Sequence, residues 1–579
     1  MSNFDSNGNY NKTEWKDDDL ITADKLNKIE DAIQTVNKND IERYKEVHDR
    51  LDVVEGELEE VSTQLADSTN KINNGIVYIK DFNGTSSDDN VIIQNAFDFA
   101  KNNFENYTII FENREYRVNK KIDNIGGSNI TINGNNARIY LYQNPSTKWY
   151  EFISCSDLTS FRCYNLSIDG KNYGVHYNDE QGLKVFSVSA IRVDINNCHL
   201  TNIYGSGINV SGIVNIHDNY IHNCSGVNYG QHNSGAYDNY GDGIRVSNEI
   251  SKVGKVYNNY IVIDDDRKGR AGIVLEFNAT NIELSSNYIS GYNVGVHLEL
   301  VENNIVRENT INKSRCGIIL ANAPFSKIYG NKVYQHLDKG GLYLNTCLYL
   351  YKNYTNTDIY DNHFIGDNKT CLTTGNGGNI RVKGNIFDGM IELNNIENVT
   401  FIENIFNRNE EHSTNMLQGY ATKNITLKNN TFNDYRLSFS GGESINIDDN
   451  VFNSTVLPEF IKVVNKGSYN IKNNRFNISN TITHLIHSYV PTRIGEFSNN
   501  IIYNNEPVKI FEYGSTSAHQ AYITKSENIQ ITSDNTIIKI DDSYKSNIVY
   551  NESLKLYDSN SVKYEIIVNT DGTIATKKI

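Results

Sequence analysis

The chain has 579 residues, a formal net charge of −16 and a pI near 5.3. That length corresponds to about four ordinary domains or to one repetitive architecture. Charged residues make up 21% and hydrophobic residues 38% of the chain, a balance that excludes both a disordered acidic protein and a membrane protein. No apolar run reaches about 18 residues, which excludes a transmembrane helix. The acidic balance argues against a general nucleic-acid binder.

Residues 1–19 are polar and acidic, so we expect no secretory signal peptide. The seven cysteines form no CxxC pair. We therefore expect buried free thiols rather than a zinc site or a disulfide framework.

Residues 22–75 are predicted to form an α-helical coiled-coil stalk. Apolar residues alternate in steps of three and four from Leu26 to Val36 and again from Val47 to Ile72, which is the a/d pattern of a coiled coil. The interval between the two seams corresponds to a stutter, which locally unwinds the supercoil. A lone helix packed on the body is the alternative, but a helix this long needs a partner for its apolar stripe.

The middle of the chain is one long repeat of the form Asn-x-apolar. The repeated asparagines are Asn196, Asn219, Asn259, Asn287, Asn309, Asn331, Asn362, Asn385, Asn404, Asn430, Asn450, Asn474 and Asn500. Their spacing, mostly in the low twenties, and the short β-branched runs predict a right-handed, single-stranded parallel β-helix over residues 76–510. The asparagines would form a ladder in turns that need left-handed residues, and the phenylalanines of later copies would stack inside. A leucine-rich repeat is the alternative, but its Leu-x-Leu-x-x-Asn frame is absent.

A second strand recurs as Gly-apolar-x-apolar-x, with its apolar pairs pointing inward and its x positions outward. It begins at Gly207, Gly243, Gly272, Gly295, Gly317 and Gly341. One predicted outward column contains Asn209, Arg245, Val274, His297, Ile319 and Tyr343. The other contains Ser211, Ser247, Glu276, Glu299, Ala321 and Asn345.

These columns place the candidate catalytic residues Glu276 and Glu299 on adjacent coils. Two like charges this close raise the pKa of one of them, which creates an acid beside a base, and a glycosidase needs such a pair. Arg245 and His297, in the neighbouring column, are candidates for orienting or binding an anionic group. The alternative is that the two glutamates are ordinary solvated surface.

Two long segments precede the Gly strands and would form the walls of a groove. One carries Tyr237 and Tyr240, which are candidates for stacking on sugar rings. It also leads to Asp238 and Asp242, the next candidates for the catalytic acid after Glu276 and Glu299. The other runs from Asp264 to Arg270. Its candidates are Asp265 as an acid and Arg267 and Arg270 as substrate ligands. Calcium binding at the three aspartates is an alternative to a polar turn.

The entry to the repeat carries recognisable motifs. The segments Ile79–Phe82, Ser87–Asp89 and Ile93–Ala96 resemble the opening of pectate-lyase-superfamily β-helices, in which a helix, here about 89–102, caps the solenoid. Residues 15–30 resemble the N-terminal segment of tail appendage proteins from phages of Gram-positive bacteria. The whole is similar to phage tailspike and pre-neck appendage proteins.

That resemblance implies a homotrimeric virion fibre attached to tail proteins through residues 1–21. Such a fibre is made in the host cytoplasm and acts outside the cell on a bacterial surface polysaccharide. The family's catalytic motifs are absent, so no catalytic residue carries over. Residues 511–579 are predicted to form a small β cap or trimer clamp.

We expect a depolymerase that hydrolyses exopolysaccharide with paired carboxylates and requires no cofactor. The alternatives are a lyase with calcium, a teichoic acid hydrolase and a non-catalytic adhesin.

Overall fold

A computed structural model was analysed. It describes residues 27–28, 30–31, 75–123, 125–142, 151–171, 183–225, 241–247, 253–264, 269–335, 345–408, 416–464, 467–479, 484–488, 493–504, 509–513, 520–522, 526–531, 537–542, 547–549, 554–557, 563–568 and 574–578. The chain divides into two compact units, Met1–Ile76 and Val77–Ile579. In the first unit, residues 27, 28, 30 and 31 are helical. The rest of the predicted stalk and the segment 1–21 lie outside the described residues.

The solenoid opens with a short strand, a 3-10 helix at Ile79–Thr85 and one α-helix, α1, at Asp89–Asn103. Helix α1 begins where the sequence predicts, because the Asp88 side chain accepts a hydrogen bond from the amide of Asn90 at 2.9 Å and so caps the first turn. Its apolar face, which includes Phe97, is buried. The helix packs against the 3-10 helix and the first strands of the body.

The strands follow in chain order, and the early ones turn corners within a single strand. The first eight are β1 (Ile76–Tyr78), β2 (Asn106–Ile110), β3 (Glu115–Val118), β4 (Asn129–Leu141), β5 (Glu151–Asp169), β6 (Leu183–Asn196), β7 (His199–His217) and β8 (Tyr220–Ser225). The next fourteen are β9 (Ile244–Ser247), β10 (Gly254–Tyr257), β11 (Tyr260–Val262), β12 (Ala271–Glu276), β13 (Ile282–Ser285), β14 (Tyr288–Ser290), β15 (Val294–Glu299), β16 (Ile305–Arg307), β17 (Thr310–Ser314), β18 (Cys316–Ala321), β19 (Lys327–Tyr329), β20 (Lys332–Gln335), β21 (Thr346–Lys352) and β22 (Asp358–Tyr360).

The remaining strands continue the same winding and then leave it. The first fourteen of these are β23 (His363–Lys383), β24 (Ile386–Asn394), β25 (Ile396–Ile402), β26 (Ile405–Asn407), β27 (Met416–Lys428), β28 (Thr431–Asn433), β29 (Arg436–Asp448), β30 (Val451–Ser454), β31 (Ile461–Val463), β32 (Gly467–Lys472), β33 (Arg475–Ile478), β34 (His484–Ser488), β35 (Arg493–Ser498) and β36 (Ile501–Tyr503). The last eight are β37 (Lys509–Tyr513), β38 (Gln520–Tyr522), β39 (Ser526–Ile531), β40 (Ile537–Asp542), β41 (Asn547–Val549), β42 (Leu554–Tyr557), β43 (Lys563–Val568) and β44 (Ile574–Lys578).

The strands form three faces because each strand pairs with the third strand along the chain. Sheet A contains β9, β12, β15, β18 and β21, which pair in parallel. Sheet B contains β10, β13, β16, β19 and β22, and sheet C contains β8, β11, β14, β17 and β20. The predicted right-handed parallel β-helix is therefore confirmed, with one continuous apolar core inside the three sheets.

A ladder of buried asparagines runs along the corner between sheets B and C. Its members are Asn219, Asn259, Asn287, Asn309, Asn331, Asn362, Asn385, Asn404, Asn430, Asn450, Asn474 and Asn500. Asn404 is typical: its Nδ2 donates to Asn430 Oδ1 at 3.0 Å, and its Oδ1 accepts from Nδ2 of Asn385 at 3.0 Å. The predicted ladder is thus confirmed over twelve coils.

Two details of the predicted ladder are wrong. The first predicted member, Asn196, pairs in register with His217 at the end of sheet B, and Cys198 occupies the ladder position, where its amide donates to Asn219 Oδ1. The left-handed residue is the one directly before each ladder asparagine, with φ between 53° and 66°, and not the asparagine itself. The reason is that the corner bends before the side chain turns inward to bond its neighbours.

The predicted phenylalanine stack is also confirmed. Phe406 and Phe432 lie with ring centroids 4.6 Å apart and planes 6° apart, and the stack runs from Phe364 to Phe476. All seven cysteines are free and buried, as predicted. No helix in the described part of the chain is long and apolar enough to cross a membrane.

A second, outer ladder lies on the other side of sheet C. Asn407, Asn433, Asn453 and Asn477 bond in sequence at 2.7 Å per step. Asn407 donates to Asp388 at 2.8 Å. The sequence motif Asn-x-Phe-Asn produces this ladder, because two asparagines three residues apart then project on opposite sides of the same corner strand.

The repeating glycines of sheet A are required by close packing. A Cβ added at Gly272 would lie 2.3 Å from Cγ2 of Ile289 and 2.9 Å from the carbonyl oxygen of Gly295. Glycine therefore lets each sheet A strand begin directly against sheet C. This fixes which following side chains point inward and which point outward.

The connections from sheet C to sheet A differ greatly in length. By the strand bounds, 18 residues separate β8 from β9, 8 separate β11 from β12, 3 separate β14 from β15, and 1 separates β17 from β18. The register of the flanking strands is kept across all of them. Extra sequence is thus placed at one edge of sheet A.

The parallel pairing continues as far as β39 and then reverses. Strands β39 and β40 pair antiparallel, and β42, β43 and β44 form a separate antiparallel sheet. Val568 pairs with Ile574 across the segment 569–573, whose sequence Asn-Thr-Asp-Gly at 569–572 is typical of a hairpin turn.

Candidate functional site

The outward side of sheet A carries the predicted candidates in two columns. Glu276 pairs in register with Ser247 on one side and with Glu299 on the other. Val274, between Arg245 and His297, occupies the neighbouring column. The glycine frame thus brings these candidates onto adjacent coils, as predicted from the repeat.

The predicted end of both columns is wrong. The strand that pairs with β18 is β21, so Ile319 meets Tyr349 and Ala321 meets Lys352, and neither Tyr343 nor Asn345 takes these places. Residues 341–344 lie outside the described residues. The sequence misleads here because Leu-x-Leu occurs twice in succession, at 342–344 and 348–350, and the copy that pairs with β18 is the second one.

Glu276 belongs to a buried cluster of charges. Its carboxylate contacts Nε of Arg245, and Nη2 of Arg270 lies 3.7 Å from the same oxygen. Arg270 also donates two hydrogen bonds to Asp242, from Nε at 2.7 Å and from Nη2 at 2.6 Å. Glu276 is only 3% exposed. It is therefore a matched internal charge and not a solvated surface group.

Arg270 and Asp242 are buried as deeply as Glu276. The bidentate geometry of the pair is the one that an arginine and a carboxylate prefer. The guanidinium of Arg270 lies against the carboxylates of Asp242 and Glu276. Its positive charge is therefore directed at buried carboxylates and not at solvent. Arg270, predicted as a substrate ligand, is thus 2% exposed and lies against Asp242 and Glu276.

His297 is buried beside this cluster. Burial and, next, the repulsion of Arg270 lower the pKa of His297 to about 3. The ring is therefore neutral at neutral pH, and it can meet a ligand by hydrogen bonding but not as a cation. Its Nε2 lies 3.8 Å from Oε2 of Glu299.

Glu299 differs from Glu276 in exposure. Its side chain is 41% exposed, although its strand neighbours in the same coil are buried. Of the two stacked glutamates, Glu299 is the one that a polymer lying on sheet A would touch.

A groove of about 360 Å³ lies on the same face and is lined mainly by hydroxyl groups. Its polar lining consists chiefly of Ser154, Ser187, Asn209, Ser189, Ser211 and Ser247. The register continues these residues into the columns of Arg245 and Glu276. We call it the serine groove, and it ends one coil before Glu276.

Glu151 orients two hydroxyls of the serine groove. Ser154 donates to its Oε2 at 2.6 Å and Ser187 to its Oε1 at 2.7 Å. Partial burial acts to raise the pKa of Glu151, but these two hydrogen bonds, with Lys184 nearby, hold the pKa below its usual value. Both serine hydroxyls donate their hydrogen to Glu151, so their oxygens remain available as acceptors.

The serine groove and a third acid were missed by sequence reasoning. The signal was the motif Ser-x-Ser at 154–156 and 187–189, which lacks the glycine that marks the later strands. Glu392 lies farther along sheet A, in the column of Tyr349 and Thr373. Burial raises the pKa of Glu392. It is half-buried, so it is a further acid on this face.

Several predicted site residues lie outside the described residues: Asp238, Tyr237, Tyr240, Asp265 and Arg267. Asp264 is described, and it accepts hydrogen bonds from His222 at 3.0 Å and from Asn223 at 2.7 Å. Within the described ranges no group of three metal-ligating side chains occurs. The calcium alternative rests on Asp265 and Asp266 and remains a prediction.

No protein-family model and no curated protein sequence matches the chain. Among solved structures, the chain is similar to a mutant tailspike protein of E. coli bacteriophage HK620 in complex with hexasaccharide, with 13% identity, 88% of this chain and 93% of that chain covered, and a TM-score of 0.41. It is similar to the pre-mature gene product 12 of bacteriophage phi29, with 10% identity, 90% of each chain covered and a TM-score of 0.39. It is also similar to PfbA, a surface adhesin of Streptococcus pneumoniae, with 13% identity, 87% of this chain and 98% of that chain covered, and a TM-score of 0.32.

At such identities and scores the similarity carries no argument about the substrate or the site residues of this chain.

Proposed function

We propose that this protein is a receptor-binding tail appendage that binds a bacterial surface exopolysaccharide and hydrolyses its glycosidic bonds on sheet A. The observation that carries the proposal is the continuity of the serine groove with the coils of Glu276 and Glu299. A row of neutral hydroxyl and amide groups suits a chain of sugar hydroxyls. A carboxyl pair at the end of that row suits cleavage.

Glu299, the exposed glutamate, is proposed to donate a proton to the leaving oxygen. Glu276, held by Arg245 and Arg270, is proposed as the carboxylate that acts as nucleophile or activates water. Adjacent coils lie about 4.8 Å apart, which is close to the separation of about 5–5.5 Å between the carboxyl groups of retaining enzymes. The reaction requires no cofactor.

The charges on this face favour a neutral glycan. Arg245 and Arg270 lie against Glu276 and Asp242, and the pKa of His297 leaves it neutral. The exposed charge in this cluster is the negative one of Glu299. In this cluster a uronate or teichoic acid polymer would therefore meet arginines that already lie against carboxylates. This supports a hydrolase over a lyase, which needs a uronate.

The trimeric state, virion attachment through residues 1–21 and action outside the host cell belong to the same proposal. They rest on the sequence resemblance of residues 12–33 and 78–100. The role of residues 511–579 as a cap or clamp rests on their antiparallel strands.

The test is reducing-end release from purified exopolysaccharides of Gram-positive bacteria by wild type, Glu276→Gln and Glu299→Gln. We expect release by wild type and a loss of about 100-fold or more in each variant with glycan binding kept. Release that survives both changes would reject these two residues and direct attention to Glu392, Asp242 and Asp238. Unsaturated ends, seen by their ultraviolet absorbance, would identify a lyase instead.

A non-catalytic adhesin is the second candidate, and the burial of Glu276 favours it. A carboxylate that is 3% exposed and matched by two guanidinium groups is better suited to holding the face rigid than to attacking a sugar. This candidate predicts glycan binding by wild type with no change in polymer length.

A further inference from the structure

The corner that follows each sheet A strand has an unusual composition at the candidate site. We call the residue directly after Glu276, Glu299, Ala321 and Lys352 the sheet A corner residue. These residues are Phe277, Leu300, Asn322 and Asn353, and their φ values are 54°, 54°, 56° and 46°. All four therefore have the left-handed backbone conformation. Asparagine tolerates that conformation, and bulky side chains rarely adopt it.

Asparagine is also the residue that bonds along this corner. Asn353 Nδ2 donates to Asn322 Oδ1 at 2.9 Å. The side chains of Phe277 and Leu300 cannot form this hydrogen bond, and both residues still have the left-handed backbone conformation. In addition they are 50% and 45% exposed. Neither backbone preference nor burial accounts for apolar side chains at these two places. Strained residues cluster at functional sites, so their position directly after the stacked glutamates is the observation that points to a function.

The two residues form one ridge. The amide of Asn278 donates to the carbonyl oxygen of Leu300 at 2.8 Å, so the corners of Phe277 and Leu300 lie on adjacent coils, about 4.8 Å apart. Phe277 directly follows Glu276, and Leu300 directly follows Glu299. The apolar ridge thus occurs in the two coils that carry the stacked glutamates and not in the next two.

We infer that Phe277 and Leu300 form an apolar subsite for the C–H face of a neutral pyranose ring, which packs on the ridge while its hydroxyls reach Glu299. The inference rests on the proposed function and names a subsite of it. A sugar ring has an apolar face and a polar rim, and this corner offers an apolar surface beside an exposed carboxyl group.

A second copy of the chain is the competing occupant. Two half-exposed side chains are far smaller than the about 800 Å² per partner that a stable interface buries. The ridge is also continuous with the coil where the serine groove ends. Both observations favour a glycan.

The test exchanges the ridge residues for the asparagine that the same corner uses in later coils. Phe277→Asn and Leu300→Asn relieve strain, so each should raise Tm by about 1 °C. Each should also weaken the binding of acid-released fragments of neutral exopolysaccharide by about threefold to tenfold. Phe277→Tyr keeps the ring and should keep wild-type affinity. A merely structural role would not raise stability while lowering affinity.

Phe325 provides the matched control. It has φ 58° and is 47% exposed, but it lies at the corner that leads into sheet B. Phe325→Asn should raise Tm in the same way and leave glycan affinity unchanged.

Wild-type affinity in Phe277→Asn and Leu300→Asn would overturn the inference while leaving the proposed function intact. Dissociation of oligomers in sedimentation of these variants would show that a second copy covers the ridge. Failure of wild type to bind any fragment would reject both the proposed function and the subsite.

Discussion

The buried pair of Asp242 and Arg270 should be one of the most sensitive points of the structure. Arg270→Met removes the two hydrogen bonds that satisfy a fully buried carboxylate, and Asp242→Leu leaves the guanidinium without its bidentate partner. Breaking a buried ion pair from one side costs about 3–5 kcal/mol. Replacing both members by apolar residues of similar size is often nearly neutral.

This loss in the free energy of unfolding converts into a decrease in melting temperature. About 2.1 cal/mol/K of unfolding entropy per residue over 579 residues gives about 1.2 kcal/mol/K. Each single variant should therefore lower Tm by about 2–4 °C, and Asp242→Leu with Arg270→Met together should recover most of that loss. The assay is thermal unfolding at one scan rate, followed by circular dichroism, for the four members of the cycle.

A surface pair supplies the control. Lys423 and Glu443 lie 3.5 Å apart with both side chains more than half exposed, so Lys423→Met should change Tm by less than about 1 °C. The reasoning is refuted if the double variant melts as low as Arg270→Met alone, because the loss would then not come from an uncompensated buried charge.

Two further predictions concern the ladder and the buried histidine. Asn404→Ala removes the acceptor of the Asn385 backbone N–H and one of the three acceptors of its Nδ2, so it should cost about 3 kcal/mol and lower Tm by about 2–3 °C. Asn407→Ala, in the half-buried outer ladder, should cost less than half as much, and equal losses would contradict the role of burial. The folded pKa of His297, about 3, lies below its unfolded value of 6.5. The unfolded chain therefore binds the extra proton, and this residue should remove about 1.4 kcal/mol of stability per pH unit as pH falls from 6.5 towards 3. Tm measured against pH should fall less steeply for His297→Asn than for wild type, and parallel curves would refute the assignment.

Much of the fold can be predicted from the sequence because stacked coils use the same type of residue at the same position. A single asparagine three residues after an aliphatic residue is weak evidence, but twelve in register are a ladder. The glycine frame similarly predicts Glu276 beside Glu299, and the two residues pair in register. The asparagine repeat gave a wrong prediction where one coil departs from it, because Cys198 replaces asparagine at the start of the ladder.

The state of the candidate site could not be predicted in the same way. The repeat tells which side chains point outward, but it does not tell that Glu276 lies between Arg245 and Arg270, since Arg270 comes from a connection and not from the repeat. Burial on the outward side of a sheet likewise depends on how connections fold over it. The ridge of Phe277 and Leu300 was missed because an apolar residue after a strand gives no sign of a left-handed backbone.

The unequal connections from sheet C to sheet A bear on how much sequence change the scaffold tolerates. Lengths from 1 to 18 residues are accommodated with no loss of register in the flanking strands, and closing a loop twice as long costs only about 0.6 kcal/mol. Insertions and exchanges at this edge are therefore nearly neutral for the scaffold. The edge of sheet A at which each of its strands begins can therefore vary in sequence and length while the ladders of the scaffold stay unchanged.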